Sequence, residues 1–296
     1  MTKQTTIAKE TKISGIGLHS GEITSLRFLP APANTGVVFK RTDLPIPGGV
    51  AFPARVPSVL NTDRSTTIGK LLPLPQPGTG EVKPTPIVVL TVEHLMASIY
   101  CLGIDNVFVE ATAMETPLMD GSGIQFAETL KEAGIVELEE ERLPEFTVTE
   151  PIKVEHGDAV IEILPAEEYK ISYTMSYPHP LIGTQFFETE VNEESFLKNI
   201  APSRTFALYS ELSALLSRGL IKGGSLNNAI VITDNAILSK DGLRYPDEFV
   251  RHKVMDLIGD LALTGRRLKA HVVSSRSGHT LNNKAAAALF ALANKN

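Results

Sequence analysis

The pattern of residues 247–260 predicts one helix with an apolar face and a polar face. Any fold of this chain must accommodate both faces. At about 100° per residue, the helix predicted over residues 246–263 has one apolar stripe, which consists of Val250, Val254, Leu257 and Leu261. His252 and Asp256 lie one helical turn apart on a different face, as two ligands of a single metal ion would. The same spacing is common on solvated surface helices. The segment therefore predicts either half of a metal site or an ordinary polar surface.

Composition bounds the size of the fold and the kind of partner. The chain has 296 residues, of which 43% are hydrophobic. Single cores stop growing at roughly 250–300 residues, so this length favours two domains. A net charge of −6 without a run of Lys and Arg argues against nucleic acid as a partner. We expect a monomeric protein that binds a small molecule.

The single cysteine and the hydropathy pattern indicate a compartment. Cys101 cannot form an internal disulfide, and its apolar neighbours suggest a packed thiol in a reducing environment. No apolar run approaches the ~18 residues that span a bilayer, and residues 1–6 lack the apolar core of a signal peptide. We expect a cytoplasmic protein without a transmembrane segment, able to make transient contact with a membrane surface.

Short β-rich segments alternate with a few helices, which is an α+β pattern. Strands are predicted at residues 24–29, 106–111, 159–164, 169–173 and 229–233. Helices are predicted at residues 92–102, 123–134, 208–218, 246–263 and 283–294. The acidic segment 139–144 has the character of an exposed linker, so we expect a first α+β domain at residues 1–138 and a second at residues 145–296.

Two other segments bear on the organisation of the chain. Residues 70–86 are rich in proline, which fixes φ and removes amide donors, so we expect an exposed insertion between strands without a chemical role. Residues 104–109 resemble residues 226–231, and Asn106 matches Asn228. This echo leaves open whether the two halves are a structural duplication.

Seven histidines are the candidates for catalysis or metal binding. His156 and His179 lie in turn-like contexts, and His271 lies in an apparent strand, so we expect solvated or packed imidazoles there. His94 follows an apolar strand and begins a helix, directly after Glu93. Glu93 is then either a base beside a metal ion or only a partner of the positive helix end.

A third ligand would decide what the helix at 247–260 does. One histidine from another helix, added to His252 and Asp256, leaves the fourth zinc position open for water, which is the composition of a catalytic site. Tight glycine-containing loops hold His19 and His279. No dinucleotide-binding fingerprint follows the His19 loop, so nucleotide-dependent redox chemistry is not expected.

Eight motifs together resemble one family in their order and spacing, over nearly the whole chain. The motifs are residues 17–21, 91–95, 119–122, 203–206, 223–225, 228–231, 251–253 with Asp256 and Asp260, and 277–279. The family is UDP-3-O-acyl-N-acetylglucosamine deacetylase, the zinc amidase of lipid A biosynthesis. The segment that matches the family poorly is the proline-rich one at residues 70–86, which is longer than the resemblance leads us to expect.

The resemblance implies a role for each matching residue. The residues that match the ligands of one catalytic zinc ion are His94, His252 and Asp256. Glu93 matches the residue that activates the attacking water. His279 matches a histidine that protonates the leaving amine, and Asp260 matches a carboxylate that orients it. Lys253 and Thr205 match groups that stabilise the oxyanion.

The resemblance also implies where the substrate, UDP-3-O-acyl-N-acetylglucosamine, would bind. Phe206, Leu212 and Ile221 match an apolar passage for the acyl chain, although Leu212 and Ile221 can equally be ordinary core residues. His19 and Lys222 match positions near the UDP moiety, where an imidazole and a cation can meet phosphates. The length of the acyl chain stays open.

The implied fold is a sandwich of two α+β domains, each a small sheet packed on helices, with the active site between the domains. A different class of function stays open as well, namely a non-catalytic relative that is stabilised by zinc or binds a nucleotide sugar. Glu93, Lys253 and His279 argue against this alternative, because a purely structural zinc site needs none of them.

Overall fold

The computed structural model describes residues 2–76 and 78–294. Its strands, in chain order, are β1 (Lys3–Ile7), β2 (Thr11–Ile16), β3 (Ile23–Pro30), β4 (Val37–Arg41), β5 (Val50–Pro53), β6 (Val59–Asn61), β7 (Thr67–Pro75), β8 (Val82–Val89), β9 (Val107–Ala111), β10 (Ile135–Glu141), β11 (Phe146–Thr147), β12 (Ile152–His156), β13 (Ala159–Leu164), β14 (Tyr169–Ser176), β15 (Thr184–Glu190), β16 (Phe206–Leu208), β17 (Ile230–Ile232), β18 (Ile237–Leu238) and β19 (Leu268–Ser275). Its α-helices are α1 (Glu93–Cys101), α2 (Ile124–Glu132), α3 (Glu193–Ser195), α4 (Tyr209–Ser217), α5 (Glu248–Ala262) and α6 (His279–Ala293). A 3-10 turn covers Val56–Ser58, and a π-helical turn covers Phe196–Ile200.

The two large sheets have the same topology. The first runs β2-β3-β9-β4-β5, with β4 and β9 parallel and the other pairs antiparallel. The second runs β12-β13-β19-β14-β15, with β14 and β19 parallel and the other pairs antiparallel, and β11 adds to β19. The chain is therefore a structural duplication in which β9 corresponds to β19.

The echo between residues 104–109 and 226–231 does not mark this duplication. Residues 107–109 lie in β9 at the centre of the first sheet, whereas residues 230–231 lie in β17 of a separate three-stranded sheet, β16-β17-β18. Both segments are short strands after an asparagine turn, and such segments look alike wherever they occur. The proposed match was wrong, although the duplication itself is present.

Four helices fill the space between the two sheets. Helices α1 and α2 contact each other, and α2 packs near β2 of the first sheet. Helices α5 and α6 contact each other and pack on β12, β13, β14 and β15 of the second sheet. Because α1 packs along α5, the layers run sheet, helices, helices, sheet. The α+β sandwich expected from the sequence is confirmed.

The two central helices approach each other at the level of the backbone. A β-carbon added to Gly259 of α5 would lie 1.9 Å from the carbonyl oxygen of Glu93 at the start of α1. This contact buries the polar side of α5 as well as its apolar stripe, since His252, Asp256 and Asp260 are at most 2% exposed. The polar face of α5 is therefore not a solvated surface.

The proline-rich segment forms a paired hairpin and not an irregular insertion. Pro73 in β7 lies opposite Pro84 in β8, and Leu71 lies opposite Pro86. Alternate residues of an antiparallel pair point their N–H groups away from the partner strand, so prolines at every second position interrupt no hydrogen bond between the strands. The segment is largely exposed, as expected. Pro77 lies outside the described residues.

Two sequence-based boundaries differ from the structure. The expected linker at 139–144 overlaps β10, because Glu139–Glu141 belong to this strand and Glu141 pairs with Lys3 of β1. The division into two domains at this point stays a prediction. The last helix begins at His279 and not at residue 283, because the polar residues Asn282 and Asn283 hide its apolar period although both are buried.

None of the helices in the part of the chain that the structure describes is long and apolar enough to cross a membrane. The first turn of α1, the middle of α5 and the start of α6 all carry polar buried residues, and they meet at one place between the two sheets.

Replacing Gly259 with alanine should destabilise the protein, although alanine is the better helix former by about 0.5–1 kcal/mol. The added methyl group must push α5 away from Glu93, and overpacking of this kind costs about 1–3 kcal/mol. We expect a lower midpoint of urea unfolding for Gly259→Ala. Ser213→Ala, at an exposed position of α4, should change stability by no more than about 0.5 kcal/mol. A Gly259→Ala protein as stable as wild type would contradict the close contact.

Candidate active site

Three side chains from the two central helices form a group that can hold a metal ion. His94 lies in the first turn of α1, and His252 and Asp256 lie one turn apart on α5. Asp256 Oδ1 lies 3.4 Å from His94 Nε2 and 3.5 Å from His252 Nε2. The two imidazole rings are nearly perpendicular, with centroids 4.9 Å apart. All three side chains are buried, and one ligand atom from each lies within 4.8 Å of the others.

The protonation state of His252 suits a metal ligand. Its Nδ1 lies 3.1 Å from the carbonyl oxygen of Ser203, so Nδ1 donates and the lone pair of Nε2 faces Asp256 and His94. Burial lowers the pKa of His252 to about 4, which keeps the ring neutral near neutral pH. A neutral imidazole whose other nitrogen bonds a carbonyl is the usual state of a histidine ligand.

Asp256 offers one oxygen without a partner. Its Oδ2 accepts a hydrogen bond from Lys253 Nζ at 2.9 Å, whereas Oδ1 is buried and has no hydrogen-bond partner among the described residues. Burial opposes its charge, but the neighbouring ammonium group of Lys253 and the imidazoles of His252, His94 and His279 together outweigh this effect and hold the pKa of Asp256 well below its usual range. A buried, ionised and unpartnered oxygen between two imidazole nitrogens fits a bound cation.

Glu93 lies beside this group and is held by the backbone. Its Oε2 accepts the N–H of Thr66 at 3.0 Å, and its Oε1 lies 3.7 Å from His279 Nε2. Burial raises the pKa of Glu93, and the imidazoles of His279 and His94 oppose this only in part. A carboxylate with a raised pKa is a better proton acceptor than an ordinary glutamate.

His279 forms the other side of the site through a hydrogen-bonded network. Its Nδ1 lies 3.0 Å from Asp260 Oδ2, which also accepts the amide of Asn282 at 2.9 Å. The hydroxyl of Thr66 donates to Asp260 Oδ1 and accepts from Asn283 Nδ2 at 3.0 Å. Burial opposes the charge on the imidazole of His279, but Asp260 and Glu93 outweigh it and raise its pKa to about 9. His279 is therefore cationic near neutral pH.

The group opens into a cavity of about 750 Å³. The residues of its wall that the sequence singled out are His19, Glu93, His94, Thr205, Phe206, Leu212, Ile221, Lys222, His252, Lys253, Asp256 and His279. Phe206 packs on Phe249 with ring centroids 4.8 Å apart, and Lys253 Nζ lies 5.7 Å from the centroid of Phe206. Asp260 lies behind His279 and does not line the cavity. The thirteen site residues expected from the sequence thus all belong to one region.

The apolar part of the wall comes from the β16-α4-β17 unit. Leu212 and Leu215 of α4 line the cavity together with Ile221, which follows the helix. Ile221 has a φ of 51°, a conformation that β-branched residues rarely adopt. The unit therefore holds Ile221 in the wall at a local cost in backbone energy.

His19 is held by a residue that sequence reasoning did not single out. Both oxygens of the buried Glu115 accept backbone N–H groups of the loop, from His19 and from Ser20, each at 2.8 Å, and one also accepts the hydroxyl of Thr91 at 3.0 Å. Gly17 is required beside it, because a β-carbon there would lie 2.5 Å from Glu115 Oε2. The ring nitrogens of His19 have no hydrogen-bond partner among the described residues, and burial lowers the pKa of this histidine.

A buried ion pair positions the segment that carries Thr205 and Phe206. Arg204 Nε lies 2.8 Å from Glu248 Oε1, and the same oxygen accepts the backbone N–H of Arg204 at 2.9 Å. Glu248 is the first residue of α5, so the pair ties this segment to the helix of His252. Glu248 and Arg204 were also absent from the sequence-based candidates. The signal that they offered was weak, since single charged residues are common near helix starts.

The matching family model and three known proteins similar in sequence carry closely similar descriptions. A family model described as UDP-3-O-acyl N-acetylglycosamine deacetylase matches residues 4–291. A protein of Citrifermentans bemidjiense named UDP-3-O-acyl-N-acetylglucosamine deacetylase is 42% identical over 284 residues, which are 96% of this chain and 88% of the relative. Proteins of the same name from Chlamydia caviae and Chlamydia felis are 44% and 45% identical over 280 residues, which are 94% of this chain and 94% of each relative.

The metal group can be tested without any assay of turnover. We expect the protein to bind one divalent transition-metal ion and His252→Ala to lose most of that affinity, because only two ligands then remain. Metal content after dialysis and the thermal midpoint with and without added zinc measure this. His156→Ala, at an exposed histidine of β12, is the matched control and should keep the metal. Equal metal content in His252→Ala and wild type would exclude this group as the site.

Proposed function

The chain belongs to the UDP-3-O-acyl N-acetylglycosamine deacetylase family, and from that premise we propose that it hydrolyses the N-acetyl group of a UDP-3-O-acyl-N-acetylglucosamine, releasing acetate in lipid A biosynthesis. The observation that carries the proposal is the buried group His94, His252 and Asp256 with Glu93 and His279 beside it, at the wall of a cavity of about 750 Å³. The products are acetate and a free amine on the sugar.

We propose zinc as the metal ion held by His94, His252 and Asp256. Two neutral imidazole nitrogens and one carboxylate oxygen are a donor set that zinc prefers, and three protein ligands leave one position open. When bound, the ion supplies Lewis-acid chemistry, which polarises a carbonyl group and makes water more acidic. Iron(II) would accept the same donors, and the choice between the two metals rests on the metal-binding experiment above.

Glu93 is the proposed general base. Its carboxylate lies beside the metal group, and the N–H of Thr66 fixes one of its oxygens. The other oxygen lies on the side of His279, where it can accept a proton from the water that attacks the acetyl carbonyl. Because burial raises the pKa of Glu93, the proton transfer from water is less unfavourable than it would be to a solvated glutamate.

Lys253 and Thr205 are the proposed donors to the oxygen that becomes negative during the attack. Both line the cavity next to the metal group. Burial opposes the charge on Lys253, but Asp256 together with Tyr177 and Tyr173 outweighs it and raises the pKa of the lysine, so its ammonium group stays charged. One such preorganised donor is typically worth ~10²–10³ in kcat.

His279 is the proposed acid for the leaving amine. Asp260 binds Nδ1, which leaves Nε2 of the cationic ring to donate a proton to the amine nitrogen as the C–N bond breaks. Asp260 does not touch the substrate in this scheme. It orients the imidazole and keeps it charged, and Thr66 and Asn282 in turn fix Asp260.

The cavity supports an amphipathic substrate. Leu212, Ile221 and Phe206 provide an apolar wall for an acyl chain, and Lys222 and the unpartnered imidazole of His19 lie where anionic phosphates can be bound.

We also propose that the protein acts as a monomer in the cytoplasm, with transient contact to a membrane surface where acyl substrates are found. The free, buried thiol of Cys101 supports a reducing compartment.

A non-catalytic relative that only binds zinc or a nucleotide sugar is disfavoured by the same geometry. A structural zinc site is closed by a fourth protein ligand and has no need for a buried base or a cationic histidine. Here Glu93, Lys253 and His279 are all buried or nearly so, and all point to the same space as the three ligands.

Glu93→Ala should separate metal binding from turnover. We expect this variant to keep its metal, because Glu93 is not one of the three ligands, and to lose about 10²–10⁴ in kcat, because the base is absent. Acetate release from UDP-3-O-acyl-N-acetylglucosamine and metal content measure the two effects. Glu194→Ala, an exposed glutamate of α3, should behave as wild type. A Glu93→Ala protein with full activity would refute the assigned base.

The rate should have a bell-shaped dependence on pH. Activity falls at low pH as Glu93 becomes protonated, and falls at high pH as His279, whose pKa is raised to about 9, loses the proton that it must donate. Asp260→Asn removes the charge that raises this pKa, so the alkaline limb should move towards the ordinary histidine value of about 6.5. Profiles of kcat/KM for both proteins test this. A flat profile, or an alkaline limb unmoved by Asp260→Asn, would contradict the role of His279.

A further inference from the structure

The loop between β6 and β7 contacts both ends of the proposed reaction site. Its first part, Asp63 and Arg64, lies at the cavity wall, and its last part, Thr66, lies against the carboxylates of Glu93 and Asp260. We call residues 63–66 the strap. No other part of the chain that the structure describes hydrogen-bonds both Glu93 and Asp260.

Two ion pairs join the strap to α4 and its C-terminal cap at the wall of the cavity. Arg64 Nη1 lies 2.8 Å from Glu211 Oε2, and Arg218 Nη2 bonds Asp63 Oδ2. Glu211 lies in α4 and Arg218 is the residue directly after the helix, two helical turns later, so both side chains leave on the same side and meet adjacent residues of the strap. The strap presents an anion, Asp63, next to a cation, Arg64, and each meets a group of opposite charge. Only one alignment of the strap on α4 brings both opposite charges together. Because all four side chains are at least one-third exposed, each pair is weak and can open.

Thr66 fastens the other end of the strap to the catalytic groups. Its backbone N–H donates to Glu93 Oε2 at 3.0 Å, and its hydroxyl donates to Asp260 Oδ1. Its carbonyl oxygen also accepts the N–H of Val92 at 3.2 Å, directly before α1. Thr66 is fully buried, so a displacement of the strap moves the partners of both carboxylates together.

The same helix that holds the strap also forms the apolar wall. Leu212 and Leu215 of α4 face the cavity, one residue and four residues after Glu211. An acyl chain packed against them would hold α4 in the position in which Glu211 and Arg218 form ion pairs with the strap. The backbone of Arg64 has a φ of 67°, a left-handed conformation that arginine rarely adopts, so the gripped strap is held under local strain.

We propose that the strap is a positioning element that couples an occupied apolar wall to the geometry of Glu93 and Asp260, so that recognition of the acyl chain is expressed in kcat rather than in KM. This inference rests on the proposed deacetylase function. In general, binding energy from a remote part of a substrate accelerates a reaction only where it improves interactions in the transition state. The strap supplies a physical connection for that purpose, because it is bonded at one end to the wall and at the other to the carboxylates of Glu93 and Asp260.

The test compares two substrates, UDP-3-O-acyl-N-acetylglucosamine and UDP-N-acetylglucosamine without the acyl chain. Breaking both ion pairs in Glu211→Gln with Arg218→Gln should lower kcat about 5- to 20-fold for the acylated substrate, since one exposed pair is worth up to about fivefold. The same variant should leave kcat for the acyl-free substrate within about twofold. Exchanging the charges in Arg64→Glu with Glu211→Arg should restore most of the loss that Glu211→Arg causes alone.

Thr66 provides the second arm of the test. Thr66→Val keeps the shape and the backbone N–H but removes the hydroxyl, and it should lower kcat about 10- to 100-fold for both substrates, because hydrogen bonds to charged groups have this size. Thr66→Ser should recover most of that activity. Thr24→Val, which removes a buried hydroxyl without a hydrogen-bond partner, is the control and should leave kcat unchanged.

The outcomes separate the two levels of inference. Wild-type protein that releases no acetate from either substrate overturns the proposed function and the role of the strap with it. Active wild type with ion-pair variants that affect both substrates equally, or neither, overturns the coupling alone. Thr66→Val with unchanged kcat, or Thr66→Ser as impaired as Thr66→Val at equal metal content and thermal midpoint, overturns the positioning role of Thr66.

Discussion

The backbone contact between α1 and α5 is the constraint on which the site depends. His94 belongs to one half of the chain and His252 and Asp256 belong to the other, so their ligand atoms meet only where the two helices come this close. Gly259 permits the approach, since any larger residue would strike the carbonyl of Glu93. Without it, α5 would sit further out, and its polar face would be a set of solvated charges with no common ligand.

The same contact buries several ionisable groups, and a buried charge is unfavourable unless it is paired. Two of the buried carboxylates are matched by cations, Asp256 by Lys253 and Asp260 by His279, and the uncharged His252 is bonded to a carbonyl. Isolated charges in such a place would shift their pKa values and become neutral. The pairing holds Asp256 ionised and His279 cationic, and these are the states that metal binding and protonation of an amine require.

Much of the site could be predicted from the sequence, because its residues stand in local patterns. His252 with Asp256 has helical spacing, and Glu93 with His94 stands at a helix start, so residues far apart could be assigned to one site once the family resemblance was recognised. The supporting residues could not be found in this way. Thr66 meets Asp260 across 194 positions and Asn283 across 217, and His19 meets Glu115 across 96, and none of these contacts has a period in the sequence.

Predictions from local composition failed where a contact with a distant segment decides the secondary structure of a residue. Residues 279–282 lie outside the predicted last helix, but they form the first turn of α6, where Asp260 accepts the amide of Asn282. The prolines of β7 and β8 indicated an insertion between strands, but a facing strand with the same spacing pairs with them. In both cases the deciding partner lies in another segment, and only the fold shows it.

The duplication explains why the site needs both halves. In each half a helix precedes the central strand of the large sheet, α1 before β9 and α5 before β19, so these two helices are topological equivalents. Packing the halves together places the equivalent helices side by side, and the metal group forms along their line of contact. Neither helix carries the full set, since α1 supplies one imidazole and the carboxylate of Glu93 while α5 supplies the other imidazole, a second carboxylate and the lysine. The metal group thus forms in the interface between two similar units and not in either unit alone, and the hydrogen bond from Thr66 to Asp260 and the ion pairs of the strap cross the same interface.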